Sequence, residues 1–107
     1  MNNDTQKTLT AFLMDLETSR KIPIVEPECR IGRDIENEVV CSEDSSMSRF
    51  HGKITFENGQ HLVHDENSRN GTYLNGKEVT NPEVIKDGDM LKFGSTIFWV
   101  VFETDPE

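Results

Sequence analysis

The chain has 107 residues, of which 34% are hydrophobic, and its formal net charge at pH 7 is −9. This length predicts a single domain, and the negative field of the whole molecule disfavours DNA, RNA and anionic membranes as partners. The sequence lacks both a run of roughly 20 apolar residues that could span a membrane and an N-terminal secretory signal. The composition therefore predicts a soluble, cytoplasmic protein.

Short runs of apolar and β-branched residues, separated by turn residues, follow one another along the whole chain. In chain order they predict strands at residues 9–16, 21–25, 29–33, 38–41, 49–56, 61–64, 72–74, 77–79, 90–93 and 96–102. Asn58-Gly59 and Asn75-Gly76 each predict a hairpin. Pro23 places the second run at a sheet edge. Ten or eleven strands without a helical window predict an all-β sandwich or barrel.

The apolar residues of these runs predict the core. We expect Tyr73, Phe93 and Trp99 to be buried, together with the apolar positions of the last strand. Residues 97–102 are continuously apolar, which predicts a central strand that is covered on both faces. The two cysteines lack the spacing of a zinc site, and we expect free, buried thiols.

Three predicted loops carry polar residues that a purely structural loop does not need. They hold Gly32-Arg33, residues 48–51 and residues 67–72. A phosphate on a peptide has nearly two negative charges and three strong acceptor oxygens, which suit the donor fork of arginine and the serine hydroxyl. Asparagine can hold the peptide backbone beside it. These roles select five candidate binding residues: Arg33, Ser48, Arg49, Arg69 and Asn70.

The order and spacing of the motifs resemble the forkhead-associated (FHA) domain family. Gly32-Arg33 is followed by Ser48-Arg49-Phe50-His51 and then by Ser68-Arg69-Asn70-Gly71-Thr72. The resemblance spans nearly the whole chain and implies an eleven-stranded β-sandwich of two twisted antiparallel sheets, with the ligand loops at one end. It implies a domain at residues 9–103, between flexible tails at residues 1–8 and 104–107.

The resemblance also implies a role for each motif residue. Arg33 and Ser48 are expected to bind the phosphate, with Arg49 and Arg69 beside them, and Asn70 to bond the peptide backbone. Four further residues are expected to support the site: Gly32, His51, Ser68 and Gly71. The implied function is phosphothreonine-peptide recognition by a signalling adaptor downstream of a Ser/Thr kinase, whose partner is the kinase or its substrate. Neither catalysis nor a cofactor or metal is implied.

Acidic residues near the second motif raise a question of specificity. Glu43 and Asp44 precede Ser48, and they could weaken binding or favour peptides with basic residues near the phosphothreonine. Thr5 and Thr8 of the N-terminal tail could, if phosphorylated, occupy the pocket of the same or a neighbouring molecule.

Three other functions remain as alternatives. The first is a phosphate-independent protein–protein scaffold with the same fold. The second is a hydrolase with a triad of Ser48, His51 and Asp65, which is disfavoured because residues three apart on a strand face opposite sides. The third is a metal site at His51, His61, His64, Cys29 and Cys41. It is disfavoured because His61 and His64 should lie on opposite strand faces and the other residues lack the spacing of metal ligands.

Overall fold

The computed structural model describes residues 9–104. Within this range the chain forms eleven strands and no helix, as the sequence predicts. The strands are β1 (Leu9–Asp15), β2 (Lys21–Pro23), β3 (Glu28–Gly32), β4 (Val39–Val40), β5 (Gly52–Glu57), β6 (Gln60–Asp65), β7 (Thr72–Leu74), β8 (Lys77–Glu78), β9 (Glu83–Ile85), β10 (Met90–Phe93) and β11 (Thr96–Thr104).

The strands form two sheets, which confirms the predicted sandwich. One has six strands in the order β2-β1-β11-β10-β7-β8, and the other has five in the order β4-β3-β5-β6-β9. Strand β2 is an edge strand, in agreement with Pro23. The pairings are antiparallel except for β3 and β4, which run parallel. Residues 33–38 form the loop that returns the chain to the level of Ile31, so that β4 starts beside it and runs in the same direction as β3.

Both Asn-Gly pairs form the predicted hairpin turns. Asn58-Gly59 connects β5 to β6, and Asn75-Gly76 connects β7 to β8. The φ angles are 52° and 77° in the first pair and 51° and 85° in the second. Positive φ at both central residues is the requirement of the tight turn whose twist matches that of the flanking strands.

The core lies between the sheets and is built by the alternation of side chains along each strand. Ala11 and Leu13 of β1 and Phe98 and Val100 of β11 are buried, together with Phe93 of β10. The remaining core positions are Ile24, Cys29, Ile31, Val39, Met47, Ile54, Val63, Val79, Ile85 and Leu91. Cys29 is buried and Cys41 partly buried, and both are free thiols, as expected.

Two predictions about the core are wrong. Tyr73 is only half-buried and Trp99 is 39% exposed, because both lie on the outer face of the six-stranded sheet. Strand β11 is central, between β1 and β10, but only one of its faces is covered. Because residues 97–102 are apolar at every position, the sequence does not indicate which face of the strand is exposed to solvent. The short edge strand β9 was also not predicted.

The loops that carry the motifs meet at one end of the sandwich. The backbone N–H of Arg33 donates to the carbonyl oxygen of Ser48 at 3.1 Å, and the His51 ring bonds the carbonyl of Gly71 at 2.8 Å. The turn between β10 and β11 lies against the same region. The predicted tails, with Thr5 and Thr8, lie outside the described residues except for Thr104, which ends β11. Residues 9–104 contain no helix with the length and apolar character to cross a membrane.

Candidate functional site

Gly32 is the point at which the first motif loop touches the second. A Cβ atom on Gly32 would lie 2.1 Å from the carbonyl oxygen of Arg49, so no side chain fits there. The same carbonyl accepts a hydrogen bond from Nδ2 of the buried Asn37 at 2.8 Å. These contacts hold the loop that follows β3 against the loop that precedes β5, and they set the position of Arg33.

The Arg33 side chain is anchored at one nitrogen only. Its Nε donates to the carbonyl oxygen of Met47 at 2.6 Å, and its side chain is partly buried. Within residues 9–104 the two terminal nitrogens of the guanidinium make no hydrogen bond or ion pair. Arg33 is therefore fixed in orientation while its terminal donors stay available to an anion.

His51 ties the second motif loop to the third. It is fully buried, and its Nδ1 accepts from the backbone N–H of Ser48 at 3.0 Å. Its Nε2 lies 2.8 Å from the carbonyl oxygen of Gly71, which assigns the ring proton to Nε2. The ring also packs edge-on against Phe93, with 5.8 Å between centroids. Both ring nitrogens are thus engaged in holding backbone.

The third loop is organised by the Asp65 carboxylate. Its Oδ1 accepts from the hydroxyls of Ser68 at 2.6 Å and Thr72 at 2.7 Å, and its Oδ2 accepts from the Ser68 N–H at 3.1 Å. The Ser68 hydroxyl in turn accepts from the N–H of Gly71 at 2.8 Å. Burial raises the pKa of Asp65, but the hydrogen bonds outweigh it and hold the pKa below its usual value.

Asp44 joins the second loop to the turn between β10 and β11. Its carboxylate accepts from the N–H groups of Ser46 and Ser95 at 2.9 and 2.8 Å and from the Thr96 hydroxyl at 2.7 Å. Burial raises the pKa of Asp44, but these hydrogen bonds outweigh that effect and hold the pKa below its usual value. Asp44 therefore acts within the protein, which leaves Glu43 as the acidic neighbour that a peptide could meet.

Four of the five predicted binding residues border one small depression of about 30 Å³. The Ser48 hydroxyl accepts from the backbone N–H of Arg69 at 3.0 Å, and Nδ2 of Asn70 donates to the carbonyl oxygen of Ser46 at 2.8 Å. The full lining is Arg33, Ser45, Ser46, Met47, Ser48, Arg69 and Asn70. Two arginines and several hydroxyls therefore meet in one place on an acidic protein.

Arg49 is the predicted binding residue that the structure places outside this depression. Its side chain is 68% exposed, and its Nε lies 3.7 Å from a carboxylate oxygen of Asp34. The carbonyl of Arg49 faces inward to Gly32 and Asn37, while the side chain is exposed beside Asp34. An exposed pair at this distance contributes little free energy, so the side chain can change partner readily.

The residues of the alternative hydrolytic triad do not assemble as one. His51 contacts the backbone nitrogen of Ser48 and not its hydroxyl, while Asp65 bonds Ser68 and Thr72. Residues 48–51 form a loop and not a strand. The triad is therefore absent because His51 bonds backbone groups, and not because Ser48 and His51 face opposite sides of a strand.

The residues of the alternative metal site are also separated. Within residues 9–104 no group of three or more His, Cys, Asp or Glu residues lies close enough to hold a metal ion. His61 is buried and His64 faces outward on β6, bonded to the hydroxyl of Thr55 at 2.8 Å, so the prediction of opposite faces is confirmed.

Three residues that support the site were not predicted in that role from the sequence: Asn37, Met47 and Asp65. Asp65 lies three residues before Ser68, a spacing at which an Asp side chain can accept from the backbone N–H, and the sequence shows this spacing. Asn37 stands just before the apolar pair of β4, where a buried amide has no sequence signature. Met47 contributes a carbonyl oxygen, which every residue has, so its role has no signal in the sequence.

Comparison with known proteins places these features in a family. The family model for the FHA domain matches residues 29–94, which is more than half of the chain. The glycogen accumulation regulator GarA of Mycolicibacterium smegmatis is 33% identical over 82 residues, covering 77% of this chain and 49% of that protein. The transcriptional regulatory protein EmbR of Mycobacterium tuberculosis is 27% identical over 82 residues, covering 77% of this chain and 21% of EmbR.

Solved structures agree with the sequence comparison. EmbR of Mycobacterium tuberculosis in complex with a low-affinity phosphopeptide superposes with a TM-score of 0.84 at 23% identity, covering 92% of this chain and 26% of that one. A domain solved in a study of phosphothreonine-dependent FHA domain interactions superposes with a TM-score of 0.80 at 27% identity. The match covers 86% of this chain and 95% of that one. The chain spans between a fifth and a half of the two curated relatives. With the family model and the eleven-stranded sandwich in agreement, the chain belongs to the FHA domain family.

Proposed function

We propose that this chain recognises phosphothreonine peptides and acts as a signalling adaptor downstream of a Ser/Thr protein kinase, with the kinase or its substrate as partner. One observation carries the proposal: Arg33 and Ser48, 15 residues apart in sequence, border the same depression. Arg69 and Asn70 complete its edge.

The unoccupied donors of these residues suit a phosphate. Arg33 uses Nε on Met47, so its two terminal nitrogens can donate to phosphate oxygens in the paired geometry that arginine favours. The Ser48 hydroxyl accepts from Arg69, which leaves its own hydrogen free to donate. The Arg69 side chain adds a second positive charge at the edge, and Arg49 a third outside the depression.

Asn70 is placed to hold the peptide that bears the phosphate. Its Nδ2 donates to the carbonyl of Ser46, which fixes the amide plane. Its Oδ1 has no hydrogen-bond donor within residues 9–104 and can accept a backbone N–H of the peptide. The side chain thus sets the direction in which the peptide crosses the loops.

The expected affinity is that of a transient complex. Three or four charge-assisted hydrogen bonds contribute roughly 5–10 kcal/mol in total. Ordering the peptide and loss of its free motion offset much of this. We expect a dissociation constant of about 1 μM, or about −8 kcal/mol, with contacts of the flanking peptide residues adding to the phosphate bonds.

Binding without catalysis is the function that the geometry favours. Both nitrogens of His51 hold backbone groups, so the ring has no free nitrogen to act as a base for the Ser48 hydroxyl. The related domain noted above, from work on phosphothreonine-dependent interactions, supports the same conclusion. Recognition needs only protein groups, and no cofactor.

The test is a degenerate peptide library with one fixed phosphothreonine, measured beside its unphosphorylated and phosphoserine twins. We expect wild-type protein to bind the phosphothreonine library and Arg33→Ala to lose measurable binding. Lys86→Ala is the matched control, since it removes one positive charge from the turn before β10, at the other end of that strand from the phosphate loops. Equal binding of the phosphorylated and unphosphorylated libraries would contradict the proposal.

A further inference from the structure

The outer face of the six-stranded sheet is apolar over four adjacent strands. The register of the sheet aligns its side chains in rows, each made of residues that lie directly opposite one another. The rows across β7, β10, β11 and β1 are Tyr73 with Lys92 and Ile97, Met90 with Trp99 and Met14, and Val101 with Phe12. Trp99 is 39% exposed at the middle of this surface.

A cavity of about 310 Å³ opens at one side of this face. It is lined by Tyr73, Gly76, Met90, Lys92 and Ile97. Its volume is at the lower end of the range typical of small-molecule sites, about 300–1,000 Å³, and is sufficient for one large side chain. The lining contains one positive charge and no carboxylate, on a protein whose net charge is −9.

Lys92 is the uncompensated cation of this face. Lys21, the other lysine there, pairs with Glu103 at 2.7 Å. Lys92 lies with its Nζ 5.8 Å from the centroid of the Tyr73 ring, and within residues 9–104 it has no carboxylate within 4.0 Å. Glu78 of β8 lies opposite Tyr73 in register and forms no ion pair with Lys92. An anionic group that binds beside the cavity therefore meets a free ammonium.

The cavity is separate from the phosphate loops. It lies beside the Asn75-Gly76 turn and Met90, where β10 begins. The phosphate depression lies beyond the other end of β10, where Gly94 packs against Met47. Both sites can therefore be occupied at the same time.

We propose that this face is a second, phosphate-independent docking surface for an acidic peptide segment of a protein partner. The segment inserts an aromatic or aliphatic side chain into the cavity and places a carboxylate beside Lys92. A peptide is favoured over a small molecule because the apolar surface continues beyond the cavity to Trp99, Met14 and Phe12. The attraction is local to Lys92 and acts at short range, because the molecule as a whole carries −9. A second copy of this chain is the alternative occupant, and light scattering tests it below.

Two synthetic peptides test the proposal by amide NMR. The first is acetyl-Glu-Glu-Leu-Trp-Leu-Glu-Glu-amide, and the second has lysine at every glutamate position. We expect the acidic peptide to shift amides of β7, β10 and β11 around the cavity and to bind about three- to fivefold more tightly than the basic one. Lys92→Glu should reverse this preference, and Arg33→Ala should leave it unchanged.

Lys53→Glu is the matched control, because it makes the same charge change on the outer face of the other sheet, and it should keep the wild-type preference. The proposal is overturned if the two peptides bind equally, if neither shifts the cavity amides, or if the shifts fall on the phosphate loops. It is also overturned if light scattering shows a dimer that Trp99→Ser dissociates, since a second copy then covers the face. None of these outcomes depends on whether phosphothreonine binds.

Discussion

Replacing Arg33 by lysine separates the charge of the proposed phosphate site from its geometry. Lysine keeps the positive charge, but it has a single ammonium group on a flexible stem. It therefore loses either the anchor on the Met47 carbonyl, which Arg33 Nε bonds at 2.6 Å, or the contact with the phosphate. The substitution tests whether the oriented fork of donors determines the affinity.

The expected loss follows from the number of bonds removed. Arg33→Lys forfeits about one charge-assisted hydrogen bond, or about 1.5–3 kcal/mol, which weakens binding by about 10-fold to 150-fold. Arg33→Ala forfeits at least two such bonds, or about 3–6 kcal/mol. From a wild-type dissociation constant of about 1 μM, we expect about 10–150 μM for the lysine variant and about 150 μM or weaker for the alanine variant.

The assay is fluorescence anisotropy with the best phosphothreonine peptide from the library, at about 0.15 M salt so that long-range attraction is screened. Thermal unfolding confirms that each variant is folded at the assay temperature. Arg49→Lys is the matched control, since it makes the same substitution at the neighbouring arginine, whose side chain is 68% exposed and outside the depression. We expect it to change the affinity by less than about threefold.

A lysine variant that binds within about threefold of wild type would refute the argument from geometry, because charge alone would then suffice. An alanine variant with wild-type affinity would refute the site itself. A larger effect at Arg49 than at Arg33 would place the phosphate beside Arg49 and not in the depression.

Three further predictions concern the framework of the site. Gly32→Ala should weaken phosphopeptide binding and destabilise the fold by about 1–3 kcal/mol in urea unfolding, because its Cβ would lie 2.1 Å from the Arg49 carbonyl oxygen. Asp65 has a lowered pKa when folded, so it stabilises the protein above its unfolded pKa, and this contribution is lost as the pH falls through the folded value; Asp65→Asn should flatten the dependence of stability on pH below about pH 4. Burial raises the pKa of Cys41 to about 11, so its alkylation by iodoacetamide at pH 8 should be about a hundredfold slower than that of a free cysteine.

Each of these predictions has a contrary result. A Gly32→Ala protein as stable as wild type would mean that the loops can separate without cost. An Asp65→Asn protein with the wild-type pH dependence would assign the acid sensitivity to other carboxylates, of which Asp44 and Glu38 also have lowered pKa values. Rapid labelling of Cys41 in folded protein would show that the segment after β4 opens readily.

Much of the fold could be predicted because its signals are local. The two Asn-Gly turns depend on the φ preferences of two residues, and both form with positive φ. The alternation of apolar and polar residues along β3 likewise reports the buried face of that strand. Strand β9 was missed because its three residues are too short a run to show alternation, and its pairing with β6 is a tertiary contact.

The candidate site was predictable as a set of residues but not as a geometry. The order of the motifs identified Arg33, Ser48, Arg69 and Asn70, which line one depression. The position of the Arg49 side chain outside the depression was not predictable, because it depends on how the loops pack in three dimensions. Asp44 was expected to face the peptide, but it bonds the hydroxyl of Thr96, 52 residues away in sequence.

The sequence by itself determined the strands, the tight turns and the chemistry of the loops, since each depends on residues that are neighbours in the chain. Only the tertiary structure decided which side chains meet, and it left one face of the central strand open. Residues 97–102 are apolar on both sides, so their pattern is the same whether a face is covered or exposed. The exposure of Trp99, and with it the second docking surface, follows from how the two sheets pack and not from the strand itself.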